Sequence, residues 1–169
     1  MRQADGQDRI VNIDGVTYTG PVNSEGKPHG RGSFFNHNIG SRYFGDFVDG
    51  LKHGKGIYIA PNGQVYVGSF KGDKKSGYGE SNYPNGDKYK GEFLDDKKHG
   101  EGTYLSASGN KYVGGWVNDL KHGKATFTFV NGEFYSGDYK NGVREGFAFF
   151  KHANGETYQG EYKAGKRHG

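Results

Sequence analysis

Histidine is the residue type in this 169-residue chain that is best suited to chemistry, because an imidazole can bind a metal or carry a proton. Each of five histidines precedes a glycine at one place in a repeating pattern: His29, His53, His99, His122 and His168. If one repeat is two strands wide, neighbouring copies lie about 10 Å apart, whereas the ligands of one zinc ion each lie about 2.1 Å from it. The pattern predicts no metal site within one molecule and favours a turn hydrogen bond to the following glycines; a metal bridging two molecules stays open.

Catalytic motifs are missing from the sequence. There is no phosphate-binding Gly-x4-Gly-Lys-Ser/Thr loop, no Gly-x-Ser-x-Gly elbow and no His-Glu-x-x-His pair. The absence of cysteine excludes a thiolate zinc site and a disulfide framework. Carboxylates such as Glu92 and Asp138 alternate outward on a solvated face, where no cleft would shift their pKa. The sequence therefore predicts a protein that is not an enzyme and uses no cofactor.

Cations recur at a fixed place and could meet an anionic lipid surface or an acidic protein. Acidic residues stand in the same turns, so ordinary solvated turns are the alternative interpretation. The chain carries 23 basic and 19 acidic residues, a balanced surface that does not favour nucleic-acid binding. The predicted basic edge consists of Lys52, Lys74, Lys75, Lys98, Lys121, Arg144, Lys166 and Arg167.

The element that positions all of these residues is a 23-residue repeat. A tyrosine opens each copy, a glycine follows two residues later, and from the second copy on an aromatic residue follows two residues after that. A fixed period of this length indicates a repeat array whose units stack on their neighbours. The tyrosines that keep the period are Tyr43, Tyr66, Tyr89, Tyr112, Tyr135 and Tyr158, and Tyr18 precedes them.

Within one repeat the pattern alternates with a period of two, which is typical of β-strands. Tyr43, Gly45 and Phe47 point to one side of a strand, and the turn Asn62-Gly63 indicates a hairpin whose central residues have positive φ. No segment shows the period of a helix. The sequence predicts an all-β fold, an elongated single-layer antiparallel sheet of tandem 23-residue hairpins.

Glycine weakens a strand, so a repeated strand glycine suggests that a neighbouring ring needs the space. We expect each tyrosine and its following aromatic residue to lie flat over the glycines of the adjacent strand, and the opposite face to carry mostly charges, such as Lys90, Glu92, Glu101 and Lys111. A one-layer sheet leaves such a row partly uncovered, and exposed apolar strips mark interaction sites. The predicted partner-binding groove, called the aromatic row below, is Tyr43, Phe47, Tyr58, Tyr66, Phe70, Tyr89, Phe93, Tyr104, Tyr112, Trp116 and Phe127.

The repeats set the predicted domain boundaries. Residues 1–8 are polar and predict a flexible tail, and the array runs over residues 9–169 as a partial repeat, about six full repeats and a final half repeat. The first full repeat contains Pro21 and Pro28 and should be distorted. Both ends lie inside a repeat, which indicates either a piece of a longer protein or open sheet ends that pair in a homodimer.

The pattern Tyr-x-Gly-x-Phe/Trp, a polar turn and His-Gly-x-Gly resembles the MORN repeat (membrane occupation and recognition nexus) over residues 9–169. The chain departs from this motif at Ser76 and Glu145, where histidine is expected, and throughout the first repeat. The resemblance implies a single-layer β ribbon that acts as a scaffold or peptide-binding groove near membranes or the cytoskeleton.

Together these observations favour a non-catalytic scaffold that binds a helix or peptide of a protein partner along the aromatic row. The family implies a cytoplasmic location at a membrane–cytoskeleton or ciliary and flagellar structure. One alternative is a peripheral membrane module that binds phosphoinositides through the basic edge. Another is an accessory region of a larger enzyme such as a lipid kinase.

Overall fold

The computed structural model describes residues 8–169, which contain fifteen β-strands and no helix. This confirms the prediction of an all-β fold of tandem hairpins. The chain divides into two compact units, Met1–Pro84 and Asn85–Gly169. The flexible tail predicted for residues 1–8 lies outside the described residues except for Asp8, which is exposed and belongs to no strand.

Unit 1 is one open antiparallel sheet in which each strand pairs with the next along the chain. Its strands are β1 (Arg9–Ile13), β2 (Val16–Gly20), β3 (Gly30–Asn36), β4 (Ser41–Val48), β5 (Leu51–Ile59), β6 (Val65–Lys71) and β7 (Lys74–Asn82).

Unit 2 repeats the same arrangement, again with neighbours in chain order. Its strands are β8 (Lys88–Leu94), β9 (Lys97–Leu105), β10 (Lys111–Val117), β11 (Leu120–Thr128), β12 (Phe134–Lys140), β13 (Val143–Lys151), β14 (Thr157–Lys163) and β15 (Lys166–His168).

Two kinds of turn join the strands. In the short turns both central residues have positive φ, as at Asn141 (49°) and Gly142 (89°), which matches the right-handed twist of the flanking strands. The Asn-Gly turns differ from the prediction, because only the glycine has positive φ, as at Gly63 (88°). Here the asparagine side chain accepts a hydrogen bond from the backbone two residues on, with Gln64 N donating to Asn62 Oδ1 at 3.0 Å. Asparagine is thus selected for its side-chain oxygen.

The first full repeat is irregular, as predicted. Strand β2 ends at Gly20, and the chain returns to the sheet only at Gly30. Between them Val22 and Pro28 form an isolated bridge, and Asn23 Oδ1 accepts hydrogen bonds from the backbone of Glu25 and Lys27. Proline has no N–H to donate to a strand ladder, which accounts for the interruption.

The core is one layer of aromatic side chains on one face of each sheet, which we call the inner face. The five opening tyrosines from Tyr43 to Tyr135 are 0–1% exposed. Each packs edge-to-face on the aromatic residue of its own repeat, and Tyr43, Tyr89, Tyr112 and Tyr135 also pack on that of the next. Tyr43, for example, lies 5.0 Å from Phe47 and 5.1 Å from Phe70 between ring centroids. Such pairs contribute about 0.5–1.5 kcal/mol each beyond the area they bury.

Candidate functional site

Glycine makes room for the tyrosine rings, as the sequence analysis predicted. A Cβ atom added at Gly56 would lie 2.4 Å from Cε2 and Oη of Tyr43, and one added at Gly79 would lie 2.5 Å from the same atoms of Tyr66. In unit 2, a Cβ atom at Gly102 would lie 2.3 Å from Tyr89 Oη. Real Cβ atoms do not approach this closely, so a side chain at these positions would displace the ring.

The tyrosine hydroxyl has a role that the sequence analysis missed. In every repeat it donates a hydrogen bond to the carbonyl oxygen three residues later, as from Tyr43 to Asp46 and from Tyr89 to Glu92, both at 2.8 Å. The strand register shifts at this place, between Gly45 and Phe47 in the first case. The hydroxyl therefore supplies a partner where the ladder is interrupted. The signal in the sequence was that the first aromatic position is always tyrosine, whereas the second varies among phenylalanine, tryptophan and tyrosine.

Most of the aromatic row is buried within the sheet's own inner layer. Eight of its eleven rings are 0–5% exposed: Tyr43, Phe47, Tyr66, Phe70, Tyr89, Phe93, Tyr112 and Trp116. The remaining three, Tyr58, Tyr104 and Phe127, are half-buried. The partial exposure expected of the row therefore falls on these three rings.

The structure brings the aromatic row and the basic edge together. Lys98 Nζ lies 5.0–5.7 Å from the ring centroids of Tyr89, Tyr104 and Trp116. The other periodic cations take equivalent places over rings, namely Lys52, Lys75, Lys121, Arg144 and Arg167. Lys74 and Lys166 are exposed. Cations over aromatic faces are attracted to the ring quadrupole, so six of the eight predicted basic residues help to cover the core.

Burial has consequences for titration in this layer. It lowers the pKa of the Lys98 and Lys121 ammonium groups, because a charge is harder to solvate there. For the same reason burial raises the pKa values of the Tyr43, Tyr112 and Tyr135 hydroxyls well above their ordinary value. The inner face is therefore a structural layer in which lysines lie beside protonated tyrosines.

Aspartates in two of the short turns connect a hairpin to the preceding one. Asp73 Oδ1 accepts a hydrogen bond from Lys52 N at 2.8 Å, and Asp119 Oδ1 accepts one from Lys98 N at the same distance. The backbone N–H groups of the two aspartates return hydrogen bonds to the carbonyls of the same lysines at 3.0 Å. At the opposite edge of the sheet, Asp87 accepts hydrogen bonds from the Tyr104 hydroxyl and Ala107 N, which lower its carboxyl pKa, the Tyr104 contact most strongly. These carboxylates stabilise the contact between repeats.

Four of the repeat histidines are the third residue of the strand that follows a short turn, in β5, β9, β11 and β15, and His29 directly precedes β3. Two of the five bond to a turn instead of to the following glycine. His29 Nδ1 accepts a hydrogen bond from Asp49 N at 3.3 Å, and His122 Nδ1 accepts one from Asn141 N at 3.4 Å. Both donors belong to the turn of the next repeat. Among residues 8–169 no group of three or more histidine and acidic side chains is arranged to hold a metal ion.

The opposite face of unit 1, which we call its outer face, differs from the sequence prediction of a charged, solvated surface. Phe44, Ile57 and Val67 stand directly opposite one another on β4, β5 and β6. They are 46%, 40% and 45% exposed, and Tyr78 on β7 is 50% exposed. We call these four residues the apolar patch. They line a depression of about 810 Å³ with the strand glycines Gly45, Gly56, Gly68 and Gly79.

The outer face of unit 2 is more polar at the matching positions. Lys90, Thr103, Val113, Thr126 and Ser136 stand opposite one another on β8 to β12. The depression there is smaller, about 460 Å³, and Glu101, Lys124 and Asp138 contribute to its lining. The predicted charged outer face is therefore wrong for unit 1 and holds only in part for unit 2, where Phe147, which is 67% exposed, also lines the depression.

Comparison with known proteins places the chain in a family. The profile of the MORN repeat matches residues 24–36, 43–65, 66–88, 89–111, 112–134, 135–157 and 158–169. The chain belongs to the MORN-repeat family. MORN repeats thus account for the glycine, tyrosine and turn positions described above.

Individual relatives are similar over limited lengths. The "Inactive protein tyrosine kinase pTKL" of Plasmodium berghei (strain Anka) is 46% identical over 52 residues, which are 31% of this MORN chain and 4% of that protein. The match thus spans a small part of the relative.

Two solved structures align with most of this chain. One is the SAS-4 (dCPAP) TCP domain of Drosophila melanogaster, in complex with a proline-rich motif of Ana2 (dSTIL). It has 13% identity and a TM-score of 0.49, over 96% of this chain and 95% of that one. The other is the TCP10 domain of Danio rerio CPAP, with 13% identity and a TM-score of 0.33, over 90% and 83% of the two chains.

Proposed function

We propose that this MORN-repeat chain is a non-catalytic scaffold that binds a protein partner. The observation that carries the proposal is the apolar patch of unit 1, because Phe44, Ile57 and Val67 form a continuous exposed row in a concave surface. The sheet's own side chains do not cover it. Contiguous exposed apolar surface of this kind marks interaction sites, and aromatic and aliphatic anchors at the centre of such a site supply most of the binding energy.

The aromatic row contributes to the same function at its accessible members. Tyr58, Tyr104 and Phe127 are half-buried and lie beside Lys52, Lys98 and Lys121. A partner that contacts the inner face would touch these rings and ammonium groups, while the eight buried rings hold the sheet in shape. The aromatic row in this proposal is thus mainly the support of a scaffold.

Quantitative affinity capture tests the proposal. Cell extract is passed over the wild-type chain, over Phe44→Ser/Ile57→Ser, and over the matched control Val113→Ser, which changes the same repeat position in unit 2. We expect a set of proteins that the wild type and the control retain and that the double variant loses. Identical retention by all three chains would contradict the proposal, provided that circular dichroism shows all three folded.

Membrane binding through the basic edge is the alternative. Its strongest remaining candidates are Lys74 and Lys166, because the other six cations lie over rings. Among residues 8–169 no helix is long and apolar enough to cross a bilayer. Sedimentation with vesicles that contain phosphoinositide tests this alternative, and loss of binding in Lys74→Glu/Lys166→Glu would support it.

Location and assembly stay predictions. A site at a membrane–cytoskeleton or ciliary and flagellar structure follows from the family resemblance, as does a homodimer through open sheet ends. An accessory role within a larger enzyme is a further alternative that the intact gene would decide.

A further inference from the structure

The charges around the apolar patch bear on what kind of segment could bind there. Three cations share the outer face of unit 1 with the patch. Arg31 and Lys55 line the depression itself, and Arg42 stands next to Phe44 on β4 with its guanidinium 4.7 Å from the Phe35 ring centroid. Long basic side chains beside apolar surface present their charge at its margin.

None of these three cations forms an ion pair within residues 8–169. Lys55 Nζ donates to the Ser69 hydroxyl at 2.7 Å, and Arg42 stacks on a ring. Asp46 stands opposite Arg31 on the neighbouring strand, but its carboxylate accepts a hydrogen bond from Lys55 N at 3.3 Å. Elsewhere in unit 1 a lysine that follows a short turn does form an ion pair, because Lys52 Nζ lies 3.6 Å from Asp73 Oδ1.

The two acidic residues that line the depression lie at its two ends, whereas Asp46, which stands on β4 between Arg31 and Lys55, is outside the lining. Asp8 precedes β1, and Glu80 is on β7, so both line the outer limits of the depression. Arg31 on β3 and Lys55 on β5 lie between them, two strands apart, which corresponds to about 10 Å. The middle of the depression is therefore apolar with a cationic margin.

We propose that the patch binds a segment of a partner protein that combines apolar side chains with acidic residues. The apolar side chains would cover Phe44, Ile57, Val67 and Tyr78, and two carboxylates about 10 Å apart would meet Arg31 and Lys55. Complementary charge at the margin of an apolar centre sets orientation and excludes basic partners. This inference rests on the proposed function, because it identifies the chemistry of the partner at the same surface.

Selection from a library of random 16-residue peptides displayed on phage tests the inference. The intact chain is the bait, and Phe44→Ser/Ile57→Ser serves for counter-selection, so that only peptides bound at the patch are kept. We expect the selected peptides to carry apolar residues and a net negative charge. Selected peptides that are neutral or basic would overturn the acidic assignment while leaving the proposed function intact.

A double-mutant cycle on one selected peptide separates charge from apolar contact. Arg31→Gln/Lys55→Gln should weaken binding of the acidic peptide about tenfold, which corresponds to about 1.4 kcal/mol and lies within the range expected for two exposed ion pairs. The same change should have no effect on the peptide whose acids are replaced by amides. Equal weakening of both peptides would overturn the charge pairing.

A different outcome of the selection would contradict the proposed function itself. If counter-selection leaves no enriched peptide, the patch is not a peptide-binding surface, and both the function and the inference fall. A last experiment measures binding of the same variants to vesicles of neutral and of anionic lipid. Binding to anionic vesicles that Arg31→Gln/Lys55→Gln abolishes would overturn the protein partner in favour of a lipid.

Discussion

The two units have the same inner face and different outer faces. In both, an opening tyrosine covers strand glycines and donates its hydroxyl to a carbonyl three residues later, as Tyr66 does in unit 1 and Tyr89 in unit 2. The outer face has Phe44, Ile57 and Val67 in unit 1 but Thr103, Val113 and Thr126 in unit 2. Packing constrains the inner positions because neighbouring rings interlock there. The outer positions are free of this constraint, so a partner site can be confined to a few repeats.

The largest effect should come from filling the space under a tyrosine, and it should be the same in both units. Gly79→Val and Gly102→Val each place a branched side chain where the ring of Tyr66 or Tyr89 lies. We expect each to lower the free energy of unfolding by about 3 kcal/mol, the upper end of the cost of overpacking. Urea unfolding followed by circular dichroism measures the change. Val113→Thr, on the outer face, is the control and should stay within about 0.5 kcal/mol of the wild type.

The second effect should separate the units. Val67→Ser and Val113→Ser remove the same side chain from the same place in the repeat, and both valines are more than a third exposed, at 45% and 41%. We expect Val67→Ser to lower the affinity for a patch-binding peptide about tenfold, which corresponds to about 1.4 kcal/mol. Val113→Ser should leave this affinity unchanged. Fluorescence anisotropy with a labelled peptide measures both. Equal weakening would mean that the outer faces do not differ in function.

The third effect again should be common to both units. Asp73→Ala and Asp119→Ala each remove an acceptor for the backbone N–H of a lysine in the preceding hairpin. A hydrogen bond of this kind contributes about 1 kcal/mol, so we expect a loss of that size in each unit. Thermal unfolding compares the two variants. A clear loss in one unit alone would show that the turns are not equivalent.

The smallest effect concerns alkaline pH. Buried tyrosines with a raised pKa stay protonated in the folded chain at pH values where the unfolded chain has begun to lose its phenolic protons, so stability should fall as pH rises above about 10. Lys98 and Lys121 act in the opposite direction up to their ordinary pKa, because their folded pKa is lowered and the unfolded chain binds more protons. Urea midpoints between pH 8 and pH 11 should therefore rise slightly and then fall. In the variant Tyr112→Phe the fall should be shallower.

Much of the inner face could be predicted from sequence. The spacing of Tyr43, Gly45 and Phe47 gave the strand and its buried side, and the cost of strand glycine correctly indicated a covering ring. Burial was harder to predict, because a single-layer sheet has no second layer from which to infer shielding. The structure shows that rings from adjacent repeats shield one another, as Phe70 does for Tyr43.

The outer patch could not be predicted because it depends on register. Alternation places Phe44 and Ile57 away from the tyrosine side, but their direct opposition requires the pairing of β4 with β5. The register of that pairing shifts between Gly45 and Phe47, and the hydrophobic pattern does not predict this shift. The position of the cations over the rings could not be predicted for a similar reason. Lys98 follows Tyr89 by nine residues, and only the hairpin geometry brings its ammonium group back over the ring.

The hydrogen bonds between Asp119 and Lys98 join hairpins that are 21 residues apart in the chain. Each such turn thus depends on its neighbour having the same length. Removing or duplicating one whole 23-residue unit would preserve every one of these connections, whereas losing a single residue would break the connections on both sides of the cut. We therefore expect the regular part of the array, from Tyr43 onward, to change length during evolution mainly by complete modules, and the position of a partner site along it to shift by the same step.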